Sequence, residues 1–104
     1  MADFNIKQND TSPGLEYTVS PVTTMLSATA VFNMKKRGGS VIVNRQSVTI
    51  VNTTIGVLRY PFKASETAET GDFIGEFEVT YSDGTIETFP NSTYIDITIL
   101  GDIA

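Results

Sequence analysis

The feature that most constrains this chain is an unbroken alternation. From Phe73 to Tyr81, Phe73, Gly75, Phe77, Val79 and Tyr81 fall on one side, and Ile74, Glu76, Glu78 and Thr80 fall on the other. A repeat of two belongs to an extended strand, whose successive side chains point to opposite faces. One face of this strand is therefore expected in a core and the other at a surface.

Shorter segments carry the same grammar, separated by Gly, Pro, Asn and Asp. Residues 3–8 place Phe4 and Ile6 opposite Asn5 and Lys7. Leu15, Tyr17 and Val19 alternate with Glu16 and Thr18, and Pro21 is expected to end that strand. Residues 29–35 form a third strand. Val41, Ile42 and Val43, then Val48, Ile50 and Val51, are expected as the two arms of a hairpin. Leu58, Tyr60 and Phe62 share a side, with Pro61 marking an edge or a strand end. Residues 64–71 are polar and acidic, and are expected as a loop. After Ser82-Asp83-Gly84 the chain returns through 85–89, and Ile95, Ile97 and Ile99 align in a closing strand.

Short strands with frequent turns and no long helical period predict an all-β, immunoglobulin-like two-sheet β-sandwich of about eight or nine antiparallel strands. A small barrel is the other architecture that fits. The 104 residues suit one domain, 1–104. The immunoglobulin label is architectural, because the chain lacks the cysteine pair and tryptophan of antibody domains.

The residue inventory limits chemistry. With no histidine and no cysteine, the commonest general base, the thiol nucleophile and the soft metal ligands are missing. The chain is expected not to be an enzyme and to use no cofactor. Glu76 and Glu78 share a strand face as a glycosidase pair would, yet alternating carboxylates are also how a half-buried strand keeps its outer face solvated. Asp83-Gly84 and the stretch 66–72 are the only hints of a calcium loop, and turn chemistry accounts for the first.

A net charge of −5 opposes approach to phosphates or anionic lipid, so neither nucleic acid nor membrane is an expected partner. Lys35, Lys36 and Arg37, running into Gly38-Gly39, are expected as a solvated turn. No apolar run is long enough to cross a bilayer, and the amino terminus does not read as a secretory leader. Asn9-Asp10-Thr11, Asn52-Thr53-Thr54 and Asn91-Ser92-Thr93 fit the glycosylation pattern by chance in a threonine-rich chain.

Three segments together resemble the amino-terminal domain of phage baseplate upper proteins. They are Phe4-Asn5-Ile6-Lys7-Gln8-Asn9-Asp10-Thr11, then Ala28-Thr29-Ala30-Val31-Phe32-Asn33-Met34-Lys35, and Gly71 through Phe77-Glu78-Val79-Thr80-Tyr81-Ser82-Asp83-Gly84-Thr85 with Glu87-Thr88-Phe89-Pro90. The resemblance implies a phage virion structural protein of the tail, baseplate, neck or head, made in the bacterial host cytoplasm and docking to other virion structural proteins. It implies no catalytic residue. Ending at Ala104, where the family continues into a helical linker and platform, favours a small stand-alone subunit. An adhesion module that binds a host-surface glycan or protein, with Tyr60 and Tyr94 among its contacts, is the alternative.

Docking is expected on the outer face of residues 73–81. If Asp83-Gly84 is a two-residue turn, Phe89 lies outside; if Gly84 makes a bulge after a three-residue loop, Phe89 joins Phe77 inside and Ile86 turns outward. Ile74, Glu76 and Glu78, with Ile86 or Phe89, then form the candidate contact with a virion subunit or a second copy of the chain. The segment carrying Met25 and Leu26 is the next candidate.

Overall fold

A computed structural model describes residues 3–19 and 24–103, and Pro21 lies outside them. Among the described residues the strands are β1 (Phe4–Lys7), β2 (Leu15–Thr18), β3 (Thr29–Lys36), β4 (Val41–Ser47), β5 (Thr49–Asn52), β6 (Val57–Tyr60), β7 (Gly71–Thr80), β8 (Ile86–Phe89) and β9 (Ile95–Leu100). They form an immunoglobulin-like sandwich of two sheets. The larger runs β1-β9-β7-β3-β4, with β8 also on β7; the smaller runs β2-β6-β5.

The strand that alternates most cleanly, β7, is the spine of the larger sheet. It pairs with β3 along 73–80, while its other side is shared between β9 at 71–75 and β8 at 77–80. Phe73, Gly75, Phe77 and Val79 are buried, as the alternation requires. Ile95, Ile97 and Ile99 of β9 face the same core, as does Ile6 of β1. One pairing departs from the all-antiparallel expectation: β1 runs parallel to β9.

Aromatic rings close the gap between the sheets. Phe32 of β3 stacks on Tyr60 of β6 with centroids 4.7 Å apart, and Phe77 of β7 stacks on Tyr17 of β2 at 5.9 Å. Phe62, just past the end of β6, meets Tyr60 edge-on at 5.3 Å. The strand stops at Tyr60 because Pro61 has no ladder donor.

Gly75 makes room for this cluster. A Cβ at that position would lie 2.9 Å from the Phe32 ring and 3.0 Å from Ile97 Cδ1. Both neighbours are held in a full core, so neither can yield cheaply. Gly75→Ala is expected to destabilise by about 1–3 kcal/mol, the usual penalty of overpacking, although alanine is the better strand residue. Urea unfolding measures it, and an unchanged midpoint would show that the ring can move aside.

Two expectations fail in the connections. Residues 41–43 and 48–51 are not a hairpin: β4 pairs with β3 and β5 pairs with β6, so the chain passes from one sheet to the other at Val48. Apolar alternation reports which face of a strand is buried, and it is silent on which sheet buries it. The acidic segment 64–71 also does more than connect. Ala64–Glu66 makes one 3-10 turn, and both Glu66 and Thr67 are buried. The Thr67 hydroxyl donates to the Asp10 carbonyl at 2.8 Å, and the Thr67 carbonyl accepts from the Asn9 N–H at 3.0 Å. The segment is thereby tied to the turn that follows β1.

Candidate functional site

The turn after β7 settles the position of Phe89. Tyr81 N–H donates to Thr85 O at 2.8 Å, Gly84 N–H donates to Tyr81 O at 2.9 Å, and Gly84 sits at φ 89°. Three residues, Ser82-Asp83-Gly84, therefore form the loop, and glycine takes the positive φ that such a loop needs. In this register Phe77 faces Phe89, which is wholly buried, and Thr80 faces Ile86, which is 63% exposed. Phe89 belongs to the core and not to any docking face.

The expected apolar docking patch does not form. Ile86 lies beside Thr80, six residues along β7 from Ile74, which is about 20 Å at the rise of a strand. Met25 is 1% exposed and packs into the core, whereas its neighbour Leu26 points out. Met25 N–H donates to Thr53 O at 2.7 Å, which draws that part of the chain against the sandwich. Tyr60 is buried as well, and Tyr94 is exposed.

Glu76 and Glu78 part company. Glu78 is half-buried and accepts from Arg45 Nη1 at 2.7 Å. Glu76 faces Asn33 across the β3–β7 ladder and lines a depression on the outer face of the larger sheet. That hollow has a volume of about 300 Å³ and opens to solvent on one side. Asn33 and Lys35 enter it from β3, Val41 and Asn44 from β4, Ile74 and Glu76 from β7, and Tyr94 from the segment before β9.

The hollow follows from irregularities in the sheet. The register between β3 and β4 slips twice, between Phe32 and Met34 and again between Met34 and Lys35. Arg45 takes the left-handed conformation at φ 50°, and its N–H donates to Asn33 Oδ1 at 2.8 Å. Such bulges bend an edge strand and re-aim its side chains, which brings Val41 and Asn44 to the rim. On the opposite side, β9 begins at Ile95, paired with Gly75, so Tyr94 stands next to the level of Glu76.

Charge is distributed unevenly over this face. Arg37 pairs with Asp96 and Arg45 with Glu78, and Asp72 accepts from the Thr98 hydroxyl at 3.2 Å, while Lys36, which has the inward parity of β3, pairs with Glu69 at the end of the strand. Among the described residues, Lys35 and Glu76 are the charged side chains of β3, β4, β7 and β9 that make no hydrogen bond or ion pair. Both line the hollow. Lys35 and Lys36 prove to be strand residues; only the chain from Arg37 onward makes the expected turn.

A second polar constellation is internal. The Tyr60 hydroxyl donates to the Glu66 carboxylate, 2.8 and 2.9 Å from its two oxygens, and Lys63 N–H donates to Glu66 Oε1 at 2.8 Å. Burial, and then the bond to Glu66, push the Tyr60 phenol well above its ordinary range. Tyr81 is pushed up to about 12 by burial and its bond to Glu87. The buried pair braces the fold and lines no part of the hollow. Among the described residues, no group of three or more Asp or Glu side chains is placed to hold a metal ion.

The outer-face logic that selects Ile74 and Glu76 also reaches Asn33 and Lys35, which alternate with buried Phe32 and Met34. The bulges that add Val41 and Asn44 have no signal in a single sequence.

No family model and no curated protein matches this sequence. Among solved structures, the chain is similar to the crystal structure of CopC from Methylosinus trichosporium OB3b. The TM-score is 0.59 at 12% identity, covering 100% of this chain and 89% of that one. At that identity the likeness is one of fold. It corrects the expectation drawn from the baseplate resemblance: the fold matches, over the whole of this chain, that of CopC, which is not a phage baseplate protein. The virion role and the virion location fall with that resemblance. The quoted segments are strand-and-turn chemistry that unrelated sandwiches share.

Proposed function

We propose that the protein is a non-catalytic binding domain whose recognition site is the hollow on the outer face of the larger sheet. The observation that carries this reading is the company kept there: unpaired Lys35 and Glu76 stand beside the amides of Asn33 and Asn44 and the apolar groups of Val41, Ile74 and Tyr94. Binding pockets combine apolar lining with a few convergent polar groups, and about 300 Å³ is the small end of their range. Tyr94 and Val41 are 51% and 61% exposed, so a ligand would remove apolar surface from water.

A catalytic role has less support. The chain has no histidine or cysteine, and Glu78 and Glu76 of β7 have different surroundings, the first held by Arg45 and the second facing the hollow. The CopC-like fold does not supply a ligand, since sandwiches of this kind host many functions. An excess of acidic over basic residues argues against nucleic acid or an anionic membrane as the partner.

Titration of isotope-labelled protein with mixtures of small polar fragments, followed by amide NMR spectra, tests the reading. Shifts are expected to gather at 33–35, 41–44, 74–76 and 94. Shifts confined to another surface, or none with any fragment, would remove the hollow as the site.

A further inference from the structure

We propose that the hollow selects a small zwitterion, a free amino acid with an apolar side chain. This rests on the reading of the hollow as the binding site and names its ligand class. Four residues carry the argument: Lys35, Glu76, Ile74 and Tyr94.

Lys35 faces Ile74 across the β3–β7 ladder, and Glu76 is two residues further along β7 on the same face. Diagonal neighbours of this kind lie about 7–8 Å apart, their Cβ atoms somewhat closer. The two side chains are long enough to meet, yet they form no ion pair, although the nearest outer-face ionic groups, Arg45 with Glu78 and Arg37 with Asp96, are matched. A free cation and a free anion therefore flank one small concavity. A ligand carrying a carboxylate and an ammonium on a single carbon satisfies both, the carboxylate at the Lys35 ammonium and the ammonium at the Glu76 carboxylate. The Asn33 and Asn44 amides stand beside them as further polar contacts, and Ile74, Val41 and Tyr94 offer apolar surface to the ligand's side chain.

Size and charge together exclude the nearest alternatives. A longer peptide brings only one terminus to a given place, leaving either Lys35 or Glu76 desolvated without a partner, which costs more than a neutral contact returns. A simple anion would be repelled by Glu76, and a simple cation by Lys35. A site built from two charges rejects analogues lacking either one, because the unmatched group stays unpaired.

The test uses the full chain with L-leucine, N-acetyl-L-leucine and L-leucinamide as probes, read by amide NMR shifts. Leucine is expected to saturate with a dissociation constant on the order of 1 mM, modest because the hollow is open. N-acetyl-leucine lacks the ammonium and leucinamide lacks the carboxylate; each is expected to bind at least tenfold more weakly. Lys35→Met and Glu76→Gln should each weaken leucine at least tenfold while leaving the thermal midpoint in place, since neither side chain holds the fold together. Equal binding of all three probes, or leucine binding untouched by both substitutions, would overturn the zwitterion. If other fragments shift the hollow's residues and leucine does not, the ligand class falls and the site stands. If nothing shifts them, both fall.

Discussion

Phe77→Ala is expected to lower the unfolding free energy by about 3–5 kcal/mol, the usual loss when a large aromatic leaves a packed core. Phe77 is fully buried at the centre of β7. Its ring lies 4.9 Å from Phe32 and 5.9 Å from Tyr17 of the facing sheet, and its cross-strand partners are Phe32 and Phe89. Removing it opens a void against three rings, and strands fixed on both sides of β7 cannot collapse to fill it. A domain of this size has only about 5–15 kcal/mol of stability in total, so the variant should approach its folding limit at 37 °C. Urea unfolding checks this, and a loss below about 1 kcal/mol would mean that the core lies elsewhere. Ile86→Ala is the control: on the exposed face of the same hairpin, it should change stability by less than about 0.5 kcal/mol.

That contrast shows what the sequence makes legible. Burial follows alternation, and alternation is plain in β7, in β9 and in Leu15, Tyr17 and Val19, so the order of residues alone specifies the inward faces and an all-β fold, with the sandwich favoured over a small barrel. Partnership between strands is harder. Val43 and Ile50 are both apolar strand residues, but β4 and β5 lie in different sheets because the chain changes sides at Val48, a decision made by packing far away in sequence. The hollow is partly legible for the same reason. Ile74 and Glu76 stand out on the polar face of β7, whereas Val41 and Asn44 reach it through bulges fixed by the Asn33 side chain and the left-handed Arg45. The baseplate resemblance misleads because each of its short segments is also ordinary strand-and-turn chemistry. Glu66 is the clearest miss: a carboxylate in an acidic stretch reads as solvated, and nothing local says that a phenol six residues earlier is waiting for it.

The Tyr60–Glu66 pair therefore carries the last prediction. Glu66 is 8% exposed and accepts from both the Tyr60 hydroxyl and the Lys63 N–H. Glu66→Ala strands the hydroxyl in the core without an acceptor and leaves the Lys63 N–H, at the start of the 3-10 turn, without its carboxylate partner. A lost hydrogen bond to a charged group costs roughly 1.5–3 kcal/mol, and about 3 kcal/mol is expected here because two donors lose their partner. Glu66→Gln keeps the shape and one acceptor oxygen, so it should cost less than half as much; equal losses from both substitutions would assign the effect to packing. Alkaline pH probes the same bond from the other partner. The folded state holds the Tyr60 and Tyr81 phenols above their ordinary value of 10, so both favour folding in the neutral form. That contribution is complete below pH 10. It fades for Tyr81 as the pH rises toward about 12 and persists further for Tyr60. Tyrosinate absorbance should accordingly lag a simple phenol titration in the native protein. The lag should shorten in Glu66→Ala, because the Tyr60 hydroxyl then has no carboxylate to hold its proton; an identical alkaline curve in the variant would show that burial alone protects the phenol.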